Sequence, residues 1–196
     1  MAAEPKVDLA FHMVGRTLPV DHGYALYAAL CRALPAHHEE AEAAMGLVRG
    51  RYVGNGLLDV SPHTELVIRL PAGRIPAYLR LAGKTLEVDG HRPRLGVPQT
   101  RALVPAATLY AHLVTTRNGN DPARFEGEIR RQAHALGVNG RLSVGDRRTF
   151  GVHGKQVVGY SVLASELTAE ESIALQEGGL GGRRKMGGGF FEVRDA

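Results

Sequence analysis

Thr108-Leu109-Tyr110-Ala111-His112-Leu113-Val114-Thr115-Thr116, followed by Asp121-Pro122, decides the fold, because here the chain begins its pattern a second time. Leu109, Ala111 and Leu113 alternate as the inward residues of a half-buried strand. Asp121-Pro122 then opens a helix carrying Phe125, Ile129, Ala133 and Leu136, closed by Gly137. Arg141 to Val144, with Phe150 as its farther limit, and Gln156 to Leu163 read as a strand pair around His153-Gly154. Thr168-Ala169-Glu170-Glu171 is a capping box that starts the last helix. Phe190 to Arg194 reads as the closing strand.

Upstream, the same order runs once already. Val7 to Val14 reads as a strand, and Asp21 is placed to cap a helix from His22 to Leu34. Tyr27, Leu30, Cys31 and Leu34 share one face of that helix, and Pro35 ends it. The stretch His37 to Glu42 suits a loop or a short helix. Val48 to Tyr52 and Glu65 to Leu70 are expected as strands joined across Gly54-Asn55-Gly56. Arg74 to Ala82 is expected as a short helix, and Thr85 to Val88, with Leu95 as its limit, as a fourth strand. Two β-α-β-β-α-β series define an α+β fold of two tandem ferredoxin-like (RRM-like) modules. Their expected spans are 1–97 and 105–196, with the boundary in Gly96 to Pro105.

At 196 residues, with 44% hydrophobic and 22% charged residues, the composition is that of a folded globular chain. No apolar run approaches the roughly 20 residues of a membrane-spanning helix, and no membrane partner is expected. Met1 to Asp8 carries acids and no apolar core, so a signal peptide is not expected. Cys31 is the one cysteine, which suits a reducing cytoplasm and excludes a cysteine-based zinc site. The formal charge is +4, from 24 Lys and Arg against 20 Asp and Glu. All the cations except Lys6, Lys84, Lys155 and Lys185 are arginine. Arginine forks onto phosphate and stacks on bases, although a GC-rich coding sequence also favours it.

The segment 178–189 is the most unusual in the chain, with seven glycines in twelve residues around Arg183-Arg184-Lys185. Gly181, Gly182 and Gly187 beside these cations suit a loop in which backbone N–H groups and positive charge meet a polyanion such as RNA. The order Gly-Lys-Ser/Thr is missing, so it is not a nucleotide-binding P-loop.

A basic, glycine-rich loop after the last helix of a second ferredoxin-like module resembles the RAMP superfamily of CRISPR-associated proteins. Within it the chain resembles the endoribonucleases that cut CRISPR precursor RNA inside each repeat, in their Myxococcus-type branch. The similar pieces are Leu18 to Tyr24, Leu26 to Leu30, Leu34 to Glu39, Arg49-Gly50-Arg51, Ile75-Pro76, Leu81 to Lys84 and Gly90 to Gly96. Gly154 to Tyr160 and Leu175 to Phe190 carry the resemblance through the second module. It implies cleavage by the RNA's own 2′-OH without a metal ion or other cofactor, leaving a 2′,3′-cyclic phosphate and a 5′-OH. It further implies an enzyme that stays on its product, the mature guide RNA, and joins other subunits of an effector complex. A non-catalytic RAMP subunit that binds guide RNA is the alternative.

Of nine histidines, none shows His-Glu-x-x-His or a comparable metal spacing, so no metal site is expected. The resemblance implies a catalytic histidine in or just after the first helix, followed by an acid. His38-Glu39 matches that pattern, His37 is its neighbour, and His22 matches the Asp-His-Gly-Tyr turn; all three are candidates. Relatives often add a tyrosine from the first helix, for which Tyr24 and Tyr27 qualify, while Cys31 occupies one position where some relatives carry it. Arg49 and Arg51 are candidates for RNA contact and for the phosphorane, with Arg16 behind them.

Overall fold

A computed structural model describes residues 4–194 of the chain. The chain forms two compact units, Met1–Ala102 and Leu103–Ala196. In the first, the elements are β1 (Lys6–Val14), β2 (Thr17–Pro19), α1 (Gly23–Ala33), α2 (Ala36–Glu39), β3 (Ala44–Met45), β4 (Arg51–Gly54), β5 (Leu57–Asp59), β6 (Glu65–Pro71), α3 (Ile75–Tyr78) and β7 (Arg94–Ala102). Single 3₁₀ turns, Ala72–Arg74 and Leu79–Leu81, flank α3. The main sheet has the order β3-β6-β1-β7, antiparallel throughout. In the second unit β8 (Leu109–Thr115), α4 (Pro122–Ala135), β9 (Arg141–Val152), β10 (Lys155–Ser165), α5 (Ala169–Gly178) and β11 (Glu192–Val193) give the sheet β11-β8-β10-β9. Both orders place the fourth strand beside the first and the second at the far edge, which is the ferredoxin-like arrangement twice over.

Alternation along the central strands builds each core. Leu9, Phe11 and Met13 of β1 meet Leu66, Ile68 and Leu70 of β6, covered by Leu26 and Leu30 of α1. In the second unit Leu109, Ala111, Val162 and Ala164 meet Phe125, Ile129 and Leu175. The expected alternation along β8 changes face partway. Between Ala111 and Val114 the strand carries one extra residue against β10, so Val114 joins the core set begun by Leu109 and Ala111. Leu113 is buried all the same.

Three expected elements take other forms. Val48 to Tyr52 is not the partner of β6; that place belongs to the two-residue β3. Arg51–Gly54 instead turns back through Asn55 and Gly56, both at positive φ, onto Leu57–Asp59, and β2 completes a small sheet of order β2-β5-β4. The Gly54-Asn55-Gly56 turn thus closes a local hairpin, the nearest pairing open to the chain. Thr85 to Val88 forms only single bridges to Arg94 and His91 around an Asp89-Gly90 turn. The fourth strand is β7, with Pro98 opposite Phe11; an edge strand tolerates a residue that lacks an N–H. Finally, only Glu192 and Val193 of the closing segment pair with β8.

Candidate functional site

The first helix begins on an unexpected residue. Asp21 is exposed and precedes the N-cap, which is His22, and the His22 side chain makes no capping bond. It spans outward instead: Nδ1 lies 2.8 Å from the Pro19 carbonyl, and Nε2 lies 2.9 Å from the Val48 N–H. A carbonyl only accepts and an amide only donates, so His22 is the neutral tautomer with hydrogen on Nδ1. Burial holds its pKa below the ordinary value, against the raising pull of the Pro19 and Val20 backbone bonds and of Asp21. His22 therefore fastens the start of α1 to the residue just before Arg49-Gly50-Arg51.

That arm faces solvent. Arg49, Arg51 and Tyr52 are exposed, and Arg51 lies 3.8 Å from Asp59 across the hairpin, a weak surface pair. Gly50 is required here, since a Cβ would stand 2.6 Å from the Asp59 carbonyl oxygen.

After Pro35 the chain makes one helical turn. His37 N–H donates to the Leu34 carbonyl, His38 N–H to that of Pro35, and Glu40 N–H to that of Ala36. Successive side chains on such a turn point about 100° apart, so adjacent histidines cannot share an environment. His37 turns inward and is fully buried, with Nδ1 2.7 Å from the Tyr78 hydroxyl and the two rings edge-on. His38 turns outward, with Nδ1 2.8 Å from the Tyr27 hydroxyl. The Tyr27 phenol is pushed up, first by burial and then by a hydrogen bond with Cys31, so Tyr27 keeps its proton. It is Tyr27 that reaches His38; Tyr24 sits half-buried one turn earlier on α1. His91 meets the Thr17 hydroxyl at 2.9 Å. Tyr78 had no sequence signal at all, because only the fold brings α3 against α2.

In the second unit the glycine-rich segment is packed along β8. Gly182 and Gly189 donate to the Thr115 and Leu113 carbonyls, and Gly181 to the Gln132 side chain. A Cβ on Gly181 would collide with the Thr115 carbonyl oxygen, and one on Gly189 with that of Leu180. These glycines therefore serve close backbone approach, and their amides are engaged within the protein. Gly187 follows a short 3₁₀ turn, Arg184–Met186, and is buried at positive φ. Arg183 is exposed and left-handed, while Arg184 donates to the Glu177 carbonyl at 2.9 Å and so caps the end of α5. Lys185 is half-buried. Among the described residues no group of three or more His, Cys, Asp or Glu side chains is placed to hold a metal ion. No helix among them is long and apolar enough to cross a membrane.

Fold and site together define a protein of two ferredoxin-like modules, with an exposed histidine–tyrosine pair on the first. Residues 7–194 match the family model described as Cas6 Crispr. Over 185 residues the chain is 40% identical to the CRISPR-associated endonuclease Cas6 of Myxococcus xanthus (strain DK1622), covering 94% of this chain and 80% of that protein. The chain belongs to the Cas6 family. Among solved structures, a Cas6-related protein from Pyrococcus furiosus superposes with a TM-score of 0.67 at 10% identity, covering 97% of this chain and 99% of that one. The CRISPR endoribonuclease Cse3 bound to a 19-nucleotide RNA superposes with a TM-score of 0.57 at 13% identity, covering 96% and 100%. At such identities the likeness is one of fold.

Proposed function

We propose that the protein is a metal-independent endoribonuclease that cleaves CRISPR precursor RNA within the repeat and stays bound to the guide RNA it releases. The observation that carries this reading is the outward-facing His38, held through Nδ1 by the Tyr27 hydroxyl, in a member of a family whose Myxococcus relative is named an endonuclease. RNA supplies its own nucleophile, so the protein has to align the 2′-OH with the adjacent phosphate and manage two protons. His38 takes the 2′-OH proton at Nε2, which requires the tautomer whose Nδ1–H donates to the Tyr27 oxygen. The 2′-oxygen–phosphorus bond forms as the phosphorus–5′-oxygen bond breaks, the leaving oxygen takes a proton from water, and His38 returns its own to solvent. The products are a 2′,3′-cyclic phosphate and a 5′-OH. Arginine is suited to the charge that builds on the phosphorane, and Arg49 and Arg51 on the exposed arm are the choices for it.

His22 and His37 fit this role less well. Each is buried, and each is engaged with a partner inside the fold. Arg183 and Lys185 are proposed as phosphate contacts that add affinity, with Gly181, Gly182 and Gly187 shaping the loop that carries them and Arg184 fastening it to α5. Incubation of purified protein with its repeat RNA in EDTA tests the whole. Cleavage is expected to persist in EDTA and to stop, with binding intact, when the scissile nucleotide is 2′-deoxy. Cleavage of the deoxy substrate, or its loss in EDTA, would refute the mechanism, and binding without any cleavage would leave the guide-RNA-binding subunit.

A further inference from the structure

The helix α2 that presents His38 is a single turn, too short to hold its own shape in water. Its placement depends on neighbours, and two contacts from the segment 72–81 supply it. On the inner side His37 Nδ1 meets the Tyr78 hydroxyl at 2.7 Å, with ring centroids 5.7 Å apart and planes at 84°. At the trailing end Arg74 Nε donates to Glu40 Oε2 at 2.9 Å; the Glu40 side chain is largely buried and that of Arg74 is exposed. The two contacts bracket His38, one at the residue before it and one two residues after it.

We propose that Tyr78 is a positioning residue for the cleavage reaction. Through its hydrogen bond to His37 it sets the α2 turn so that His38 faces Tyr27 and the substrate, with the Arg74–Glu40 pair as the second anchor. The proposal rests on the reading of His38 as the proton-transfer group. Tyr78 suits the task chemically. Burial, aided by the nearby Glu40 carboxylate, pushes its phenol up, so it stays a neutral hydroxyl across the working pH range. Neighbouring residues on one helical turn move together, so a turn released at His37 carries the His38 ring away from Tyr27. Small displacements of a proton-transfer group reduce rate far more than they reduce binding.

The test is single-turnover cleavage of the cognate repeat RNA at saturating protein, with dissociation constants, for wild type, Tyr78→Phe, His38→Ala and the double variant. Phenylalanine keeps the ring and removes only the oxygen. Tyr78→Phe is expected to slow cleavage about ten-fold, the scale of one missing hydrogen bond, with RNA affinity unchanged. In the His38→Ala background the same substitution is expected to change nothing further, because the residue it positions is gone. A purely structural role would slow both backgrounds alike, and that result overturns the proposal. An unchanged rate in Tyr78→Phe, with His38→Ala inactive, also overturns it while leaving His38 in its role. Full activity in His38→Ala removes His38 from the proton-transfer role while cleavage itself stands, and the positioning role of Tyr78 falls with it. Should Tyr78→Phe fail to fold, Arg74→Gln on the exposed anchor runs the same cycle, with about three-fold slowing expected and an unchanged rate overturning the proposal.

Discussion

Replacing His22 by alanine should unfold the first unit more readily, by an amount that depends on pH. The side chain is 2% exposed and bonds the Pro19 carbonyl and the Val48 N–H, and Val48 is itself buried. Alanine leaves the Val48 N–H without an acceptor, which costs about 1–3 kcal/mol, and removes the bond to Pro19, worth about 0.5–1.5 kcal/mol. The expected loss is therefore about 1.5–4.5 kcal/mol at pH 8. The folded pKa of His22 lies below the unfolded value, so the unfolded chain binds the proton first on acidification. The stability that His22 contributes is complete above the unfolded value near 6.5 and drains as pH falls through the folded one. The gap between wild type and variant should narrow below pH 6.5 accordingly. Urea denaturation followed by tyrosine fluorescence measures it; the chain has no tryptophan and six tyrosines, of which Tyr24, Tyr27, Tyr52 and Tyr78 report on the first unit. A difference under about 1 kcal/mol at pH 8, or one that does not change with pH, would refute the account of His22 as a neutral buried clasp.

Other substitutions separate chemistry from binding and packing. His38→Ala should lower the single-turnover rate about 10²–10⁴-fold, with a melting temperature near that of wild type because the side chain is exposed; near-normal cleavage would remove His38 from the reaction. Replacing Arg183 and Lys185 by alanine should reduce the magnitude of the log–log salt slope of RNA binding by roughly 0.7 to 0.9 for each phosphate no longer neutralised, and an unchanged slope would make the loop a structural one. Arg184→Ala should instead lower thermal stability, since its guanidinium caps α5 at the Glu177 carbonyl; a melting temperature equal to wild type counts against that role. Gly189→Ala places a Cβ against the Leu180 carbonyl at a φ of +64°, and a loss of about 2 kcal/mol or more is expected in chemical denaturation of the second unit.

The candidate residues were visible in sequence as a short list, headed by His38-Glu39 as the match to the expected histidine–acid pattern. Asp-His-Gly-Tyr, His37-His38-Glu39 and Arg49-Gly50-Arg51 stand out as candidate segments, because residue type and local spacing survive in one dimension. Their surroundings do not. Whether His37 or His38 faces outward depends on the phase of a one-turn helix, and the partner that His37 meets inside, Tyr78, lies 41 residues further on. His22 looked like part of a helix start, and its fastening to Val48 crosses 26 residues of chain.

The same division runs through the fold. Sequence alone specifies two β-α-β-β-α-β modules, because alternation, caps and turn residues are local properties that each segment carries. It determined the helix α4 with its Asp121 cap and the capping box at Thr168, both present as read. The three-dimensional fold set which strand pairs with which: β3 rather than Val48 to Tyr52 beside β6, and Arg94–Ala102 rather than Thr85 to Val88 beside β1. It also decided that the glycines of 178–189 serve backbone packing along β8. Pairing and close approach are relations between distant segments, chosen by the burial they achieve together, and no segment carries that information alone.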